Sequence, residues 1–177
     1  MKTLIVGGVR SGKSRYAEQL ASSHDGPISV IATATAGDEE MAARIAAHRA
    51  RRPGHWHVRE EPVALGRALL EVARPGSVVI VDCLTLWLTN VMTQSDASLL
   101  ERESEALLAA LQSASGLVIL VSNDVGSGIV PVNELARRFA DAAGSFHQRL
   151  AQTCDRVIWM MAGLPLTVKP QSGASHV

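Results

Sequence analysis

The chain has 177 residues, a length at which one compact domain buries roughly 70% of its unfolded surface. Lys plus Arg and Asp plus Glu each number 17, so the formal net charge is zero, which argues against a general DNA or RNA binder. Aromatic residues at 3% leave little for base-stacking platforms, and 47% hydrophobic against 19% charged residues places the chain far from disordered compositions.

In chain order, short apolar runs alternate with longer segments of helical pattern. Leu4–Val6, Ile28–Thr33, Val78–Val81, Leu117–Val121 and Val157–Met161 are nearly all apolar and rich in β-branched residues, as strands covered on both faces should be. Between them the spacing predicts helices over about 13–22, 39–52, 63–73, 84–93, 99–114 and 133–153. The fold class expected is α/β, a P-loop NTPase-like three-layer sandwich with five strands in a mostly parallel sheet and right-handed crossovers. One nucleotide-binding domain is expected over 1–169, with a flexible tail over 170–177 signalled by Pro, Gly and Ser. Cys83 and Cys154 form no paired spacing and read as buried thiols of a reducing compartment. The amino-terminal apolar run is too short for a signal-peptide core and no run approaches a membrane span, so the expected location is the cytoplasm.

In parallel sheets ligands bind beyond the carboxyl ends of the strands, which directs attention to the segments that follow them. After the first strand stands Gly7-Gly8-Val9-Arg10-Ser11-Gly12-Lys13-Ser14, a match to G-x-x-x-x-G-K-[ST] in strand–loop–helix context. Its glycines let successive backbone N–H groups face a phosphate, the following helix adds its partial positive charge, Lys13 reaches the outer phosphates and Ser14 offers a hydroxyl to Mg²⁺. Asp82 ends the run Val78-Val79-Ile80-Val81, where an acid can stand beside phosphate-bound Mg²⁺ or simply cap a turn.

Acids open the segment Asp38–Arg52 and arginines close it, which suits the helix dipole and is enough for a plain surface helix. Arg44, His48 and Arg52 nevertheless share one face at i, i+4 and i+8, with Arg49 and Arg51 beside them, so phosphate can be held there. An imidazole among guanidinium groups is expected to stay neutral and able to attack an α-phosphorus. His24, His55, His57, His147 and His176 receive no role from their spacing.

The phosphate loop, Ile31-Ala32-Thr33-Ala34, Glu40-Met41-Ala42-Ala43-Arg44-Ile45, His48-Arg49, Arg52-Pro53-Gly54-His55-Trp56 and Ser122-Asn123-Asp124-Val125-Gly126-Ser127-Gly128-Ile129-Val130-Pro131 together resemble one family, in collinear order from Lys2 to about Lys169. It is the bifunctional adenosylcobinamide kinase / adenosylcobinamide-phosphate guanylyltransferase family of cobalamin biosynthesis. The resemblance implies that ATP or GTP phosphorylates adenosylcobinamide. GTP then donates GMP to a histidine, which passes it to adenosylcobinamide phosphate to give adenosylcobinamide-GDP. It places the GMP-histidine on His48, where Ala47 precedes a single histidine, and Lys13 among the catalytic residues. It also implies nucleotide contacts at Gly7, Gly8, Val9, Arg10, Ser11, Gly12, Lys13, Ser14, Ala32, Thr33, Ala34, Arg49, Ala50, Arg51, Arg52, Glu60 and Asp82. Mg²⁺ would rest on Ser14 and Asp82; family members often carry Glu at the position of Asp82, so either Glu60 or Asp82 can read guanine and Asp82 stays open between base and magnesium, while a plain loop carboxylate is the alternative for Glu60. Small-molecule substrates, no nucleic acid, no membrane span and a homotrimer are further implied. The competing readings are a P-loop kinase of another small metabolite with no covalent histidine step, and a guanine-nucleotide switch, for which Asn123-Asp124-Val125-Gly126 lacks the required Lys and final Asp.

Overall fold

The computed structural model describes residues 1–35, 37 and 39–170. The candidate tail beyond Pro170 and the Asp38 position therefore lie outside the described residues. Seven strands form one sheet in the order β3-β2-β4-β5-β1-β6-β7, where β1 is Lys2–Gly7, β2 Ile28–Ala32, β3 His57–Glu60, β4 Val78–Asp82, β5 Leu117–Asn123, β6 Arg156–Met161 and β7 Leu164–Lys169. The first six are mutually parallel and β7 pairs antiparallel with β6. Six helices connect them: α1 Lys13–Ser22, α2 Glu39–Arg51, α3 Leu65–Val72, α4 Leu84–Met92, α5 Leu99–Ser113 and α6 Glu134–Thr153.

The five apolar runs are all strands, and the six helices fall within two residues of their expected bounds. The count of five strands is corrected to seven, because both sheet edges were missed. β3 is His-Val-Arg-Glu, an edge strand whose polar side chains hide the strand signal. β7 follows a two-residue turn, Ala162-Gly163, with φ of 50° and 82°, the left-handed pair that matches hairpin twist. Its Pro165 fits an edge and nowhere inside a sheet.

Two apolar layers cover the sheet. On one face Leu4, Val79, Val81, Val118 and Leu120 pack with α3, α4, α5 and α6, with Trp87 and Phe146 rings 5.3 Å apart between α4 and α6. On the other, Ile5, Val30, Ile80, Ile119 and Val121 pack with Ala17 and Ala21 of α1 and with Trp56. Strand alternation thus assigns odd and even positions to opposite layers, and the strand ends carry that assignment into the site.

Candidate active site

The register aligns the strand ends in one row. Ala32 pairs with Glu60 on one side and Asp82 on the other, while Gly7 pairs with Asn123. The residues singled out from sequence on β2, β3 and β4 therefore end level with one another, at the edge where ligands of parallel sheets bind.

The phosphate loop is held by backbone. Ser11 N–H donates to Gly8 O at 3.2 Å and Gly163 N–H to Ser11 O at 3.0 Å. A Cβ at Gly7 would lie 2.4 Å from Met160 O, and Gly12 has φ +95° with Gly163 Cα 3.3 Å from its would-be Cβ. Only glycine satisfies both conditions there. Arg10 takes φ 56°, and Val9 is exposed at the loop's tip. Lys13, 7% exposed, folds its Nζ back to Gly8 O at 2.5 Å and Ser11 Oγ at 3.3 Å. Burial lowers the pKa of its ammonium, against the opposing effect of Cys83 and Asp82.

Asp82 joins the loop to α2. Ser14 Oγ donates to its Oδ1 at 3.3 Å, Arg52 NH2 donates to its Oδ2 at 3.0 Å, and His48 Nδ1 lies 3.4 Å from the same Oδ2. Burial alone would raise the Asp82 pKa, but the hydrogen bond and charge of His48, the Arg52 guanidinium and the Ser14 hydrogen bond outweigh it and hold the carboxyl below its ordinary value. An Nδ1–H donated to Asp82 would leave the Nε2 lone pair free for attack, whereas an Nδ1 accepting from Arg51 would put the proton on Nε2. Arg51 NH2 approaches Nδ1 at 3.5 Å. The expectation of an imidazole among guanidinium groups is met by Arg51 but is incomplete: the Asp82 carboxylate approaches the same Nδ1, because the end of β4 reaches α2. Of the expected Arg44–His48–Arg52 face, the Arg44 side chain lies outside the described residues.

Arg49, Arg51 and Arg52 are each matched with an acid from a different element. Arg49 pairs with Glu60 at the end of β3, both more than half exposed; Arg51 pairs with Glu18 of α1 at 3.2 Å; Arg52, with its side chain 7% exposed, pairs with Asp82. The basic cluster read from sequence is therefore a set of ion pairs in this structure. Arg49, Arg52, Pro53, Gly54, Trp56 and Glu60 line an open cleft of about 410 Å³. Ala50 is exposed on α2 beside them.

Thr33 is fully buried. Its Oγ1 donates to Cys83 O at 2.7 Å and accepts from Cys83 N–H at 3.0 Å, and Asn90 Nδ2 donates to Thr33 O at 2.8 Å. The Thr33 side chain thus ties the ends of β2 and β4 together, while Ala32 and Ala34 are half-buried along the same edge. Cys83 is half-buried with its thiol pushed up to about 11, Cys154 is buried with its thiol at about 12, and both are free. Ser14 and Asp82 are hard oxygen donors that suit Mg²⁺, and no cluster of three or more His, Cys, Asp or Glu able to hold a metal occurs among the described residues, so phosphate and water oxygens would complete any such shell. No helix among the described residues is long and apolar enough to cross a membrane.

One polar group at this edge escaped sequence reasoning. His147 Nε2 on α6 lies 2.7 Å from Ser122 Oγ on β5, which lies 3.3 Å from Thr85 Oγ1 on α4. No local pattern marks it, since the three residues meet only through the fold.

The family described as cobinamide kinase / cobinamide phosphate guanyltransferase matches residues 3–168. The chain belongs to that family. The bifunctional adenosylcobalamin biosynthesis protein CobP of Pseudomonas aeruginosa is 53% identical over 169 residues, covering 96% of this chain and 98% of that protein. The corresponding CobU protein of Salmonella typhimurium is 39% identical over 183 residues, covering 96% of this chain and 100% of that one. Among solved structures, a Pyrococcus horikoshii protein aligns with TM-score 0.59 at 7% identity, covering 97% of this chain and 87% of that chain. An ATPase of a type III secretion system aligns with TM-score 0.55 at 12% identity, covering 94% and 56%. These two likenesses concern fold alone, and they agree with the P-loop architecture. Membership in the cobinamide kinase / guanyltransferase family makes the chain an enzyme of cobalamin biosynthesis with two transferase reactions.

Proposed function

We propose that this chain phosphorylates adenosylcobinamide from ATP or GTP at the Gly7–Ser14 loop and then transfers GMP from GTP, through a GMP-histidine at His48, to adenosylcobinamide phosphate, giving adenosylcobinamide-GDP. The observation that carries this reading is the single carboxylate of Asp82, within 3.4 Å of both Ser14 Oγ and His48 Nδ1. It supports one site in which the phosphate loop and a nucleophilic imidazole face each other.

In the guanylyl half, His48 Nε2 attacks the α-phosphorus of GTP; the P–N bond forms, the P–O bond to pyrophosphate breaks, and its electron pair leaves on pyrophosphate oxygen. A phosphate oxygen of the corrinoid then displaces the imidazole and the electron pair returns to Nε2. Asp82 holds the Nδ1 proton and so stabilises the imidazolium that carries the phosphoryl group. In the kinase half, Lys13 and the loop amides hold the outer phosphates while the corrinoid hydroxyl oxygen attacks the terminal phosphorus; the P–O bond to the β-phosphate breaks, its electron pair leaves on the nucleoside diphosphate, and the hydroxyl proton passes to solvent. Ser14 and Asp82 would hold Mg²⁺, which neutralises phosphate charge when bound. Arg49, Arg51 and Arg52 exchange carboxylates for nucleotide oxygens, and the Glu60 carboxylate, once Arg49 turns to phosphate, suits the N1–H and amine of guanine.

One domain over 1–169 carries both reactions, and the free thiols fit a cytoplasmic location. We read the protein as a homotrimer. Leu164, Leu166 and Val168 share one exposed face of edge strand β7, and Ile129 and Val132 are nearly fully exposed. Light scattering on the 18.8 kDa chain should give three times that mass; a monomer overturns the trimer.

Incubation with GTP labelled at the α- or the γ-phosphate tests the histidine step. Acid-labile, base-stable α-label is expected, and it should vanish in His48→Ala. Equal labelling of that variant sinks the assignment, and corrinoid phosphorylation with no protein-bound GMP would leave a simple kinase. Lys13→Ala should abolish phosphorylation; full activity would move the kinase site elsewhere.

A further inference from the structure

The polar group formed by His147, Ser122 and Thr85 leads back to the phosphate loop. Asn123 N–H donates to Thr85 Oγ1 at 2.7 Å. A backbone N–H can only donate, so the Thr85 proton is free for Ser122 Oγ at 3.3 Å and the Ser122 proton for His147 Nε2 at 2.7 Å. In this head-to-tail order the neutral imidazole is the last acceptor. Burial, opposed by Asp124, lowers the His147 pKa and favours that neutral form. Ser122 is 1% exposed, so it is an internal link and not a nucleophile.

The residue this relay holds stands beside the loop. β5 lies between β1, which enters the loop, and β4, which ends at Asp82. Asn123 pairs with Gly7, and Asp124 N–H donates to Gly7 O at 2.9 Å. Leu117, Ile119 and Val121 pack on the α1 side, whereas Val118 and Leu120 pack against α4 and α6. Alternation therefore puts Ser122 on the α4/α6 side, where His147 and Thr85 meet it, and the Asn123 side chain on the α1 side with Ser14 and Asp82. The Asp124 carboxylate accepts from Gly126 N–H in a turn. The half-buried Asn123 carboxamide makes no hydrogen bond to the described residues.

We propose that the Asn123 carboxamide contacts the terminal phosphate of the nucleotide held by the loop, and that His147 positions it through Ser122 and Thr85. This rests on the reading of Gly7–Ser14 as the phosphate loop. Asn123 is a binding residue, and His147 is a positioning residue that touches no substrate.

Calorimetric titration of the full chain with ATP and with ADP, each with Mg²⁺, tests it through the ratio of the two affinities. Asn123→Ala should lower the preference for ATP about tenfold, the size of one hydrogen bond to a charged group, with ADP affinity kept. His147→Phe should lower the ratio in the same direction, and His147→Gln, whose Oε1 can accept from Ser122, should restore it. Should His147→Phe fail to fold, Ser122→Ala interrupts the same relay. An unchanged ratio in Asn123→Ala overturns the phosphate contact, and an unchanged ratio in His147→Phe or Ser122→Ala overturns the relay. Wild-type protein that binds neither nucleotide would overturn the loop reading itself, a result distinct from binding both with an insensitive ratio.

Discussion

The two sides of the site are built by different means. On the loop side, backbone geometry does the holding: Gly7 is wedged against Met160 O, Gly163 N–H reaches Ser11 O, and Lys13 is buried over the loop. On the α2 side, side-chain pairs do it: Arg49 with Glu60, Arg51 with Glu18, Arg52 and His48 with Asp82. A backbone cradle is ready before its ligand arrives and loses little freedom on binding. A helix held by exchangeable ion pairs can release guanidinium groups to a nucleotide and recover them afterwards. In the function proposed above, the contrast would suit a fixed phosphate seat facing a nucleophile on a more adjustable helix.

The largest effect should come from breaking the rigid side. Gly7→Ala sets a Cβ against backbone that cannot yield, at a cost on the order of 4 kcal/mol, and thermal unfolding should show it directly. A midpoint within two or three degrees of wild type would mean the loop is as adaptable as the helix. Next comes the junction. Arg52→Ala leaves the Asp82 carboxylate, 11% exposed, without its closest cation and should destabilise by about 3 kcal/mol in urea titration. A loss below about 1 kcal/mol would class this pair with the exposed ones.

A smaller effect concerns pH. The folded pKa of His147 is lowered by burial, with Asp124 opposing, so neutral His147 stabilises the fold fully above its ordinary value of 6.5. That contribution falls as pH drops below 6.5 toward the lower folded value. Stability measured from pH 8 to 5 should decline less steeply in His147→Gln; identical slopes would remove His147 from the loop's support. Smallest is the exposed pair. Arg49→Ala should change stability by about 0.5 kcal/mol or less while weakening GTP binding, and a large stability loss would show that the outer pairs also hold α2 in place.

How much of this was legible along the chain follows the same division. Gly7–Ser14 is readable because its chemistry lies in eight consecutive residues, and the five covered strands because burial on both faces leaves continuous apolar runs. β3 and β7 were hidden because an edge strand needs only one partner and tolerates His, Arg, Glu or Pro. Asp82 is visible as the acid at a strand end, but its partners are not, since Ser14 is 68 positions away and Arg52 is 30. Likewise His147 reads as one more helical residue until α6 brings it to Ser122, 25 positions earlier in the chain.

Asp82 divides its two oxygens, Oδ1 toward Ser14 and Oδ2 toward Arg52 and His48. A ligand that draws either oxygen away alters the company kept by the other. A loop ligand that changed the Asp82–Arg52 contact would link loop occupancy to helix orientation, and by reciprocity each would then shift the other's equilibrium by the same factor. One shared carboxylate would in that case be enough to put loop filling and helix movement in an order.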